Sequence, residues 1–226
     1  GYVQIDTINV IERCHHHILF SRIPAYRRAD LAHAQSTAKS VFEYWTHALA
    51  YVPSDDFPYF LPEMQRRRRE PGRYFANVTA ANLRKVVARI AADGPITIRD
   101  IDDDALVEKD HAWSSRKPSK RALQLGFFTG RLTVNARHGM LKSYELTDRH
   151  FGWQTRPKGA GKQQILAYLL ERALRSQGVV SLDSICHLDA ARKGDMHALI
   201  TRAVKAGALV PVRLEDGDPV QLWARP

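Results

Sequence analysis

The sequence predicts an α+β fold, mostly α-helical with small β-hairpins, and two observations carry that expectation. The first is an internal repeat. Gly94-Pro95-Ile96-Thr97-Ile98-Arg99-Asp100-Ile101 reads Gly, any, apolar, hydroxyl, apolar, any, polar, Ile, and Gly178-Val179-Val180-Ser181-Leu182-Asp183-Ser184-Ile185 reads the same. The second is that each copy lies between apolar stripes of helical spacing and is followed by paired β-rich runs.

Taken in chain order, Tyr2-Val3-Gln4-Ile5-Asp6-Thr7-Ile8 alternates strictly. A strand-like segment there places Gln4 and Asp6 on one face and Val3 and Ile5 on the other. Leu83, Val86, Val87 and Ile90 mark one face of a helix ahead of the first repeat copy. Residues 102–116, with Asp102-Asp103-Asp104, read as a surface loop. A second helix runs from about Pro118 to Thr129 and stops at Gly130, where a helix-ending glycine belongs. Leu132–Asn135 and Ser143–Leu146 then flank a turn around His138-Gly139. Arg156-Pro157-Lys158-Gly159-Ala160-Gly161-Lys162 is a linker; its Gly and Lys content suggests a phosphate loop, but no strand leads into it and the spacing is wrong.

The same order then recurs. Ile165, Leu166, Leu169, Leu170 and Ala173 form the helix before the second copy, and Met196, Leu199, Ile200, Ala203 and Val204 stripe the helix after it, up to Gly207. Leu209–Leu214 and Val220–Trp223 flank a turn at Glu215-Asp216-Gly217-Asp218. Helix, short strand and helix, second helix, then hairpin is the winged-helix plan. The chain therefore divides into an incomplete N-terminal winged-helix or catalytic region (1–75), a winged-helix domain (76–155), a linker (156–162) and a second winged-helix domain (163–226).

Composition narrows the partners. A hydrophobic fraction of 44% and aromatic content of 9% suit a folded chain, and a formal charge of +10 favours a polyanion, because phosphates neutralised by Lys or Arg release counterions. Two cysteines, Cys14 and Cys186, exclude a disulfide scaffold. The richest apolar stretch, Ile165–Leu174, is broken by Glu171, so no membrane span is expected, and with no secretory signal the chain reads as cytoplasmic and nucleoid-associated. It opens at Gly1 with no Met and reads as a trimmed or partial chain. In Cys14-His15-His16-His17 only Cys14 and His17 share a helix face, so neither a metal nor a cofactor is expected.

The candidate functional residues follow from charge and spacing. Lys117, Lys120 and Arg121 lie at i, i+3 and i+4 near the start of a helix that would enter a DNA groove; a solvated basic face has the same spacing. Arg66-Arg67-Arg68-Arg69 reads as a phosphate-binding run or a solvated loop, with phosphate contact the preferred reading. An amide and a carboxylate projecting together, as at Gln4 and Asp6, suit one task well: the carboxylate stabilises positive charge and helps deprotonate a water that the amide holds in line. The solvent side of an edge strand gives the same pattern.

Val3-Gln4-Ile5-Asp6-Thr7-Ile8-Asn9-Val10, Leu19-Phe20-Ser21-Arg22 and Glu43-Tyr44-Trp45-Thr46-His47 closely resemble the YcaQ/AlkZ family of bacterial winged-helix DNA glycosylases, as do Gly94-Pro95 and the region 118–148. The resemblance is strong over about the first 150 residues and looser beyond. It implies a monofunctional glycosylase of DNA repair that hydrolyses the N-glycosidic bond of alkylated bases, including bulky N7-alkylpurines and interstrand crosslinks, and leaves abasic sites. It assigns catalysis to Gln4 and Asp6, and Asp6 implies the broader-acting branch. Arg22, Tyr44, Trp45 and His47 are implied as DNA contacts, although aromatic residues packed in a core around one hydrogen-bonded His fit the same segment. The expected partner is double-stranded DNA with alkylated bases, bound by a monomer. Family members usually carry helices ahead of the motif and a β-barrel after the last winged helix, and neither is present in these residues. A tandem winged-helix transcription regulator or a protein-docking adaptor shares the fold without the chemistry.

Overall fold

The computed structural model describes residues 1–101, 117–215 and 220–226; the predicted loop at 102–116 and the turn residues 216–219 lie outside the described residues. The fold is α+β, with helices set against small antiparallel sheets. Contacts divide it into two compact units, Tyr2–Gly159 and Ala160–Pro226.

In the first unit the elements run β1 (Val3–Gln4), α1 (Cys14–Arg22), α2 (Arg28–Ser36), β2 (Val41–Trp45), β3 (Leu49–Pro53) and α3 (Phe57–Arg69). They continue with α4 (Ala80–Asp93), β4 (Ile96–Thr97), α5 (Pro118–Phe128), β5 (Leu132–His138), β6 (Leu141–Leu146) and α6 (Thr147–Phe151). One sheet has the order β1-β3-β2, with Val3 opposite Tyr51 and Gln4 opposite Ala50; the other has the order β4-β6-β5. The alternating run at residues 2–8 thus yields a strand of two residues, extended by the Ile5 N–H bonding Leu49 O at 2.8 Å. It ends because the Asp6 carboxylate takes the Ile8 N–H at 3.0 Å, folding the chain into a side-chain-closed turn.

The core joins both sheets to the helices. Phe42, Tyr44 and Val52 from the first sheet meet Phe57, Leu61 and Met64 of α3, Val86 and Ile90 of α4, Leu123 and Phe127 of α5, and Leu132 of β5. Helix α5 runs so close to β5 that a Cβ on Gly126 would sit 2.6 Å from Leu132 Cδ1, which forbids any larger residue there without repacking. Gly130 follows with φ +64°, the left-handed helix stop its position predicts.

The second unit comprises α7 (Lys162–Gln177), α8 (Leu182–Ile185), α9 (Lys193–Lys205), β7 (Val210–Val212) and β8 (Leu222–Ala224). The predicted stripe of α9 is its core face: Met196 and Ile200 are buried with Leu166, Leu170 and Trp223, and Leu199, Ala203 and Val204 pack against them. No described helix is long and apolar enough to cross a membrane.

The repeat has a local physical meaning. The Thr97 hydroxyl accepts the Arg99 N–H at 3.1 Å while Asp100 accepts the Thr97 N–H at 2.7 Å. Ser181 and Ser184 make the reciprocal pair in the second copy, at 3.1 and 2.9 Å. Each hydroxyl therefore caps the short helical turn that follows it. The flanking apolar positions, Ile96 and Ile101 in one copy and Val180 and Ile185 in the other, are buried.

Candidate functional site

Strand β1 holds Gln4 against the β2–β3 hairpin. Val3 and Ile5 pack together with Leu31 and Tyr51, as the alternation predicts, while Gln4 and Asp6 are half-buried. His47 sits at the hairpin turn, with its Nε2 3.3 Å from Gln4 Oε1, a geometry in which the imidazole N–H donates to the amide oxygen. That contact orients the amide and leaves its NH2 group without a hydrogen bond among the described residues. Asp6 uses Oδ1 for the Ile8 N–H and keeps Oδ2 uncommitted among them. The pair therefore retains one donor group and one carboxylate oxygen able to engage a water or a sugar.

The other sheet carboxylate, Glu43 of β2, is wholly buried and was not singled out from the sequence as a site residue. Arg137 Nε and Nη2 reach its two oxygens at 2.5 and 2.7 Å, a bidentate pair, and Gln35 Nε2 donates to Oε1 at 3.0 Å and to Val134 O at 3.0 Å. This cluster pins α2 and β2 to β5. Its one sequence signal was a charge inside the apolar run Val41-Phe42-Glu43-Tyr44-Trp45.

The expected DNA contacts separate into exposed and buried groups. Arg22 is exposed in the last turn of α1, Trp45 is 48% exposed beside Phe128, and Lys120 is exposed on α5, with Lys117 half-buried at the start of that helix. Tyr44 and Arg121 are not surface groups, and their expected role as DNA contacts needs correction. Tyr44 is packed among Phe42, Phe60 and Phe127, and its hydroxyl donates to Phe128 O at 2.8 Å. Burial pushes that hydroxyl's pKa well above its ordinary value.

Arg121 is 1% exposed, with its guanidinium 5.8 Å from the Tyr74 ring centre. The reason is that α5 buries Ser119, Ala122, Leu123, Leu125, Gly126 and Phe127 as well, so the basic i, i+4 position points into the core.

The arginine run is also largely committed. Arg66 and Arg67 both bond Glu63, at 2.7 and 2.8 Å, and Arg68 Nε donates to Thr129 O at 2.7 Å, while Arg66, Arg68 and Arg69 remain exposed. In the cysteine–histidine segment, His16 Nδ1 lies 2.6 Å from the Tyr26 hydroxyl and His15 is buried near Tyr51. Lys142 of β6 places its amine 5.1 Å from the Phe127 ring centre, and burial lowers its pKa to about 8.

The family model described as DNA glycosylase AlkZ-like matches residues 1–226. Among solved structures, the DNA glycosylase AlkZ of Streptomyces sahachiroi is similar in fold, with a TM-score of 0.60 at 15% sequence identity. The match covers 99% of this chain and 61% of that one, so the chain spans about three fifths of its neighbour's length.

Proposed function

This chain belongs to the AlkZ-like DNA glycosylase family, and from that premise we propose that it hydrolyses the N-glycosidic bond of alkylated bases, N7-alkylpurines above all, in double-stranded DNA. The observation that carries the reading is the Gln4–Asp6 pair: an amide oriented by His47 and, two residues on, a carboxylate with one oxygen uncommitted among the described residues. An N7-alkylated purine is already cationic and departs without a strong general acid. The protein has then to stabilise an oxocarbenium-like sugar and align a water. Asp6 supplies the negative charge and accepts the water's proton; the Gln4 amide holds the water in line. Residues 1–38 contain no lysine, so no side-chain amine sits beside the motif in sequence, and on this reading the product is an abasic site without strand cleavage.

The reading takes the helix–strand–helix–hairpin order of residues 76–155 and 163–226 as two winged-helix domains joined by residues 156–162, behind an N-terminal catalytic region at 1–75. The order of α4, β4, α5, β5 and β6 supports the first, and that of α7, α8, α9, β7 and β8 the second. Arg22, Trp45, Lys117 and Lys120 are the proposed DNA contacts. A monomer acting on the nucleoid, with interstrand crosslinks among its substrates, completes the proposal.

The test is incubation with duplexes carrying N7-methylguanine, followed by alkaline cleavage. Strand breaks at the lesion that appear only after alkali support the reading. Sequence-specific binding with intact lesions would instead make the chain a regulator.

A further inference from the structure

A cavity of about 520 Å³ lies beside the motif segment, walled by the chain just after Asp6, by the start of α1, by the inner face of α2 and by the β5–β6 turn. Three arginines line it: Arg13, Arg28 and Arg137. Arg137 is held by buried Glu43, and Arg28 by Glu12, whose carboxylate also takes the Arg13 N–H at 2.7 Å. Arg13 itself forms no ion pair among the described residues; its guanidinium reaches only the Thr7 carbonyl, at 3.4 Å.

Two further observations give the cavity a sign. Helix α1 begins at its wall with no side-chain cap and no acidic residue in its first turn; the carboxylate at that end is Glu12, which takes the N-cap Arg13 N–H and is paired with Arg28. His15, in that first turn, is 4% exposed, lines the cavity, and has an Nδ1 with no hydrogen-bond partner among the described residues. Burial lowers its pKa to about 4, so the ring is neutral at pH 7 and offers one N–H and one lone pair.

We infer that this cavity seats a backbone phosphate of the DNA beside the damaged nucleotide, with Arg13 as its counter-charge, the α1 N-terminus and His15 as hydrogen-bond donors, and Glu12 as an internal competitor for the same cations. The inference rests on the glycosylase reading for its choice of DNA as the phosphate source. Charge decides against the alternative occupant: a departing N7-alkylpurine is a cation until its bond breaks, and a cavity lined by arginines repels it. A phosphate seated there would anchor the strand close to Gln4 and Asp6 while keeping the cationic base out.

Two substitutions of opposite expected sign test the inference. With undamaged duplex as probe, Arg13→Gln should weaken binding several-fold and reduce the slope of log K against log salt by about 0.9, the amount for one phosphate contact. Glu12→Gln frees Arg28 and should tighten binding and steepen the slope, a gain that no folding defect would produce.

A scan with single neutral methylphosphonates around a stable abasic analogue should show one position that costs the native protein affinity and leaves Arg13→Gln indifferent. A flat scan, or unchanged slopes in both variants, overturns the inference, as does binding of inorganic phosphate to the native chain with a flat scan, which marks a free-anion site. Base release from N7-methylguanine duplex is measured alongside. Release with a flat scan removes the phosphate seat and keeps the glycosylase; a positive scan without release does the reverse.

Discussion

Asp6 and Glu43 are carboxylates of one small sheet region, and they differ in everything except charge. Glu43 sits mid-strand in β2, wholly buried, with both oxygens taken by Arg137 and one also by Gln35. Asp6 follows the end of β1, half-buried, with one oxygen spent on its own chain two residues on. A wholly buried carboxylate with both oxygens held by buried partners serves to fix elements together. One with an oxygen in reserve at a strand's loose end keeps the capacity that the role proposed for Asp6 requires. Acidity alone does not qualify a carboxylate for the proposed role; it also needs hydrogen-bonding capacity left over.

The comparison breaks most easily on the structural side. Glu43→Gln should leave the Arg137 guanidinium buried without its counter-ion and lower unfolding stability by about 3–5 kcal/mol in urea titrations. The double replacement Glu43→Leu with Arg137→Met should recover much of that loss. Loss of base release without loss of stability in Glu43→Gln would place this residue in the reaction and erase the distinction.

A second effect concerns pH. Burial lowers both His15 and His150 from 6.5 to about 4, so the native state keeps them neutral while the unfolded chain takes up protons. The unfolded state binds more protons throughout that window. Unfolding free energy should therefore fall as pH drops from about 6.5 to about 4, by on the order of 3 kcal/mol for each histidine, and level off below. His15→Asn should shallow the dependence in urea titrations at pH 7 and 4.5. An identical profile in the variant would remove His15 from the account.

Gln4→Ala keeps Asp6 and removes the aligning amide, and should slow base release by roughly 10- to 100-fold with little change in the unfolding midpoint, the range of a misplaced reactant. His47→Ala, which keeps the amide but removes its contact along with the ring's packing on Tyr2, should cost less than Gln4→Ala in the same single-turnover assay. The smallest effect is on binding. Lys120→Ala should lower the salt slope by about 0.9 without destabilising the fold, whereas Arg121→Ala should destabilise it. Equal behaviour of the two would return Arg121 to the surface.

Helices α4, α5, α7 and α9 were legible because their signals are local, whereas α2 and α3 were not read, and the arginines at 66–69 belong to the last turn of α3 and not to a loop. The α9 stripe, the glycine stops and the capped repeat at Thr97 and Ser181 each depend on residues within a few positions of one another. The β2–β3 hairpin was not read. Val41-Phe42-Glu43-Tyr44-Trp45 lies mostly in the core, so it lacks the two-residue alternation that marks a half-exposed strand. The fate of the cations was equally illegible. Arg137 finds Glu43 across 94 residues and Arg68 finds Thr129 O across 61, and nothing in the neighbouring sequence announces either partner. Arg121 looked like a groove-reading cation because its spacing from Lys117 is correct; spacing gave the helix period and not which side of α5 meets the core. The alternation that sets Gln4 and Asp6 against Val3 and Ile5 was legible, and the unread part was the contact from His47, 43 residues away.

The most direct test of the central claim is the single-turnover rate of base release from N7-methylguanine duplex by the native chain and by Asp6→Asn, with the unfolding midpoint of each measured in the same buffer. The account predicts a rate lower by about 10³-fold, the scale of losing one positioned charge-stabilising group, at an unchanged midpoint. Native-like release by Asp6→Asn would contradict it.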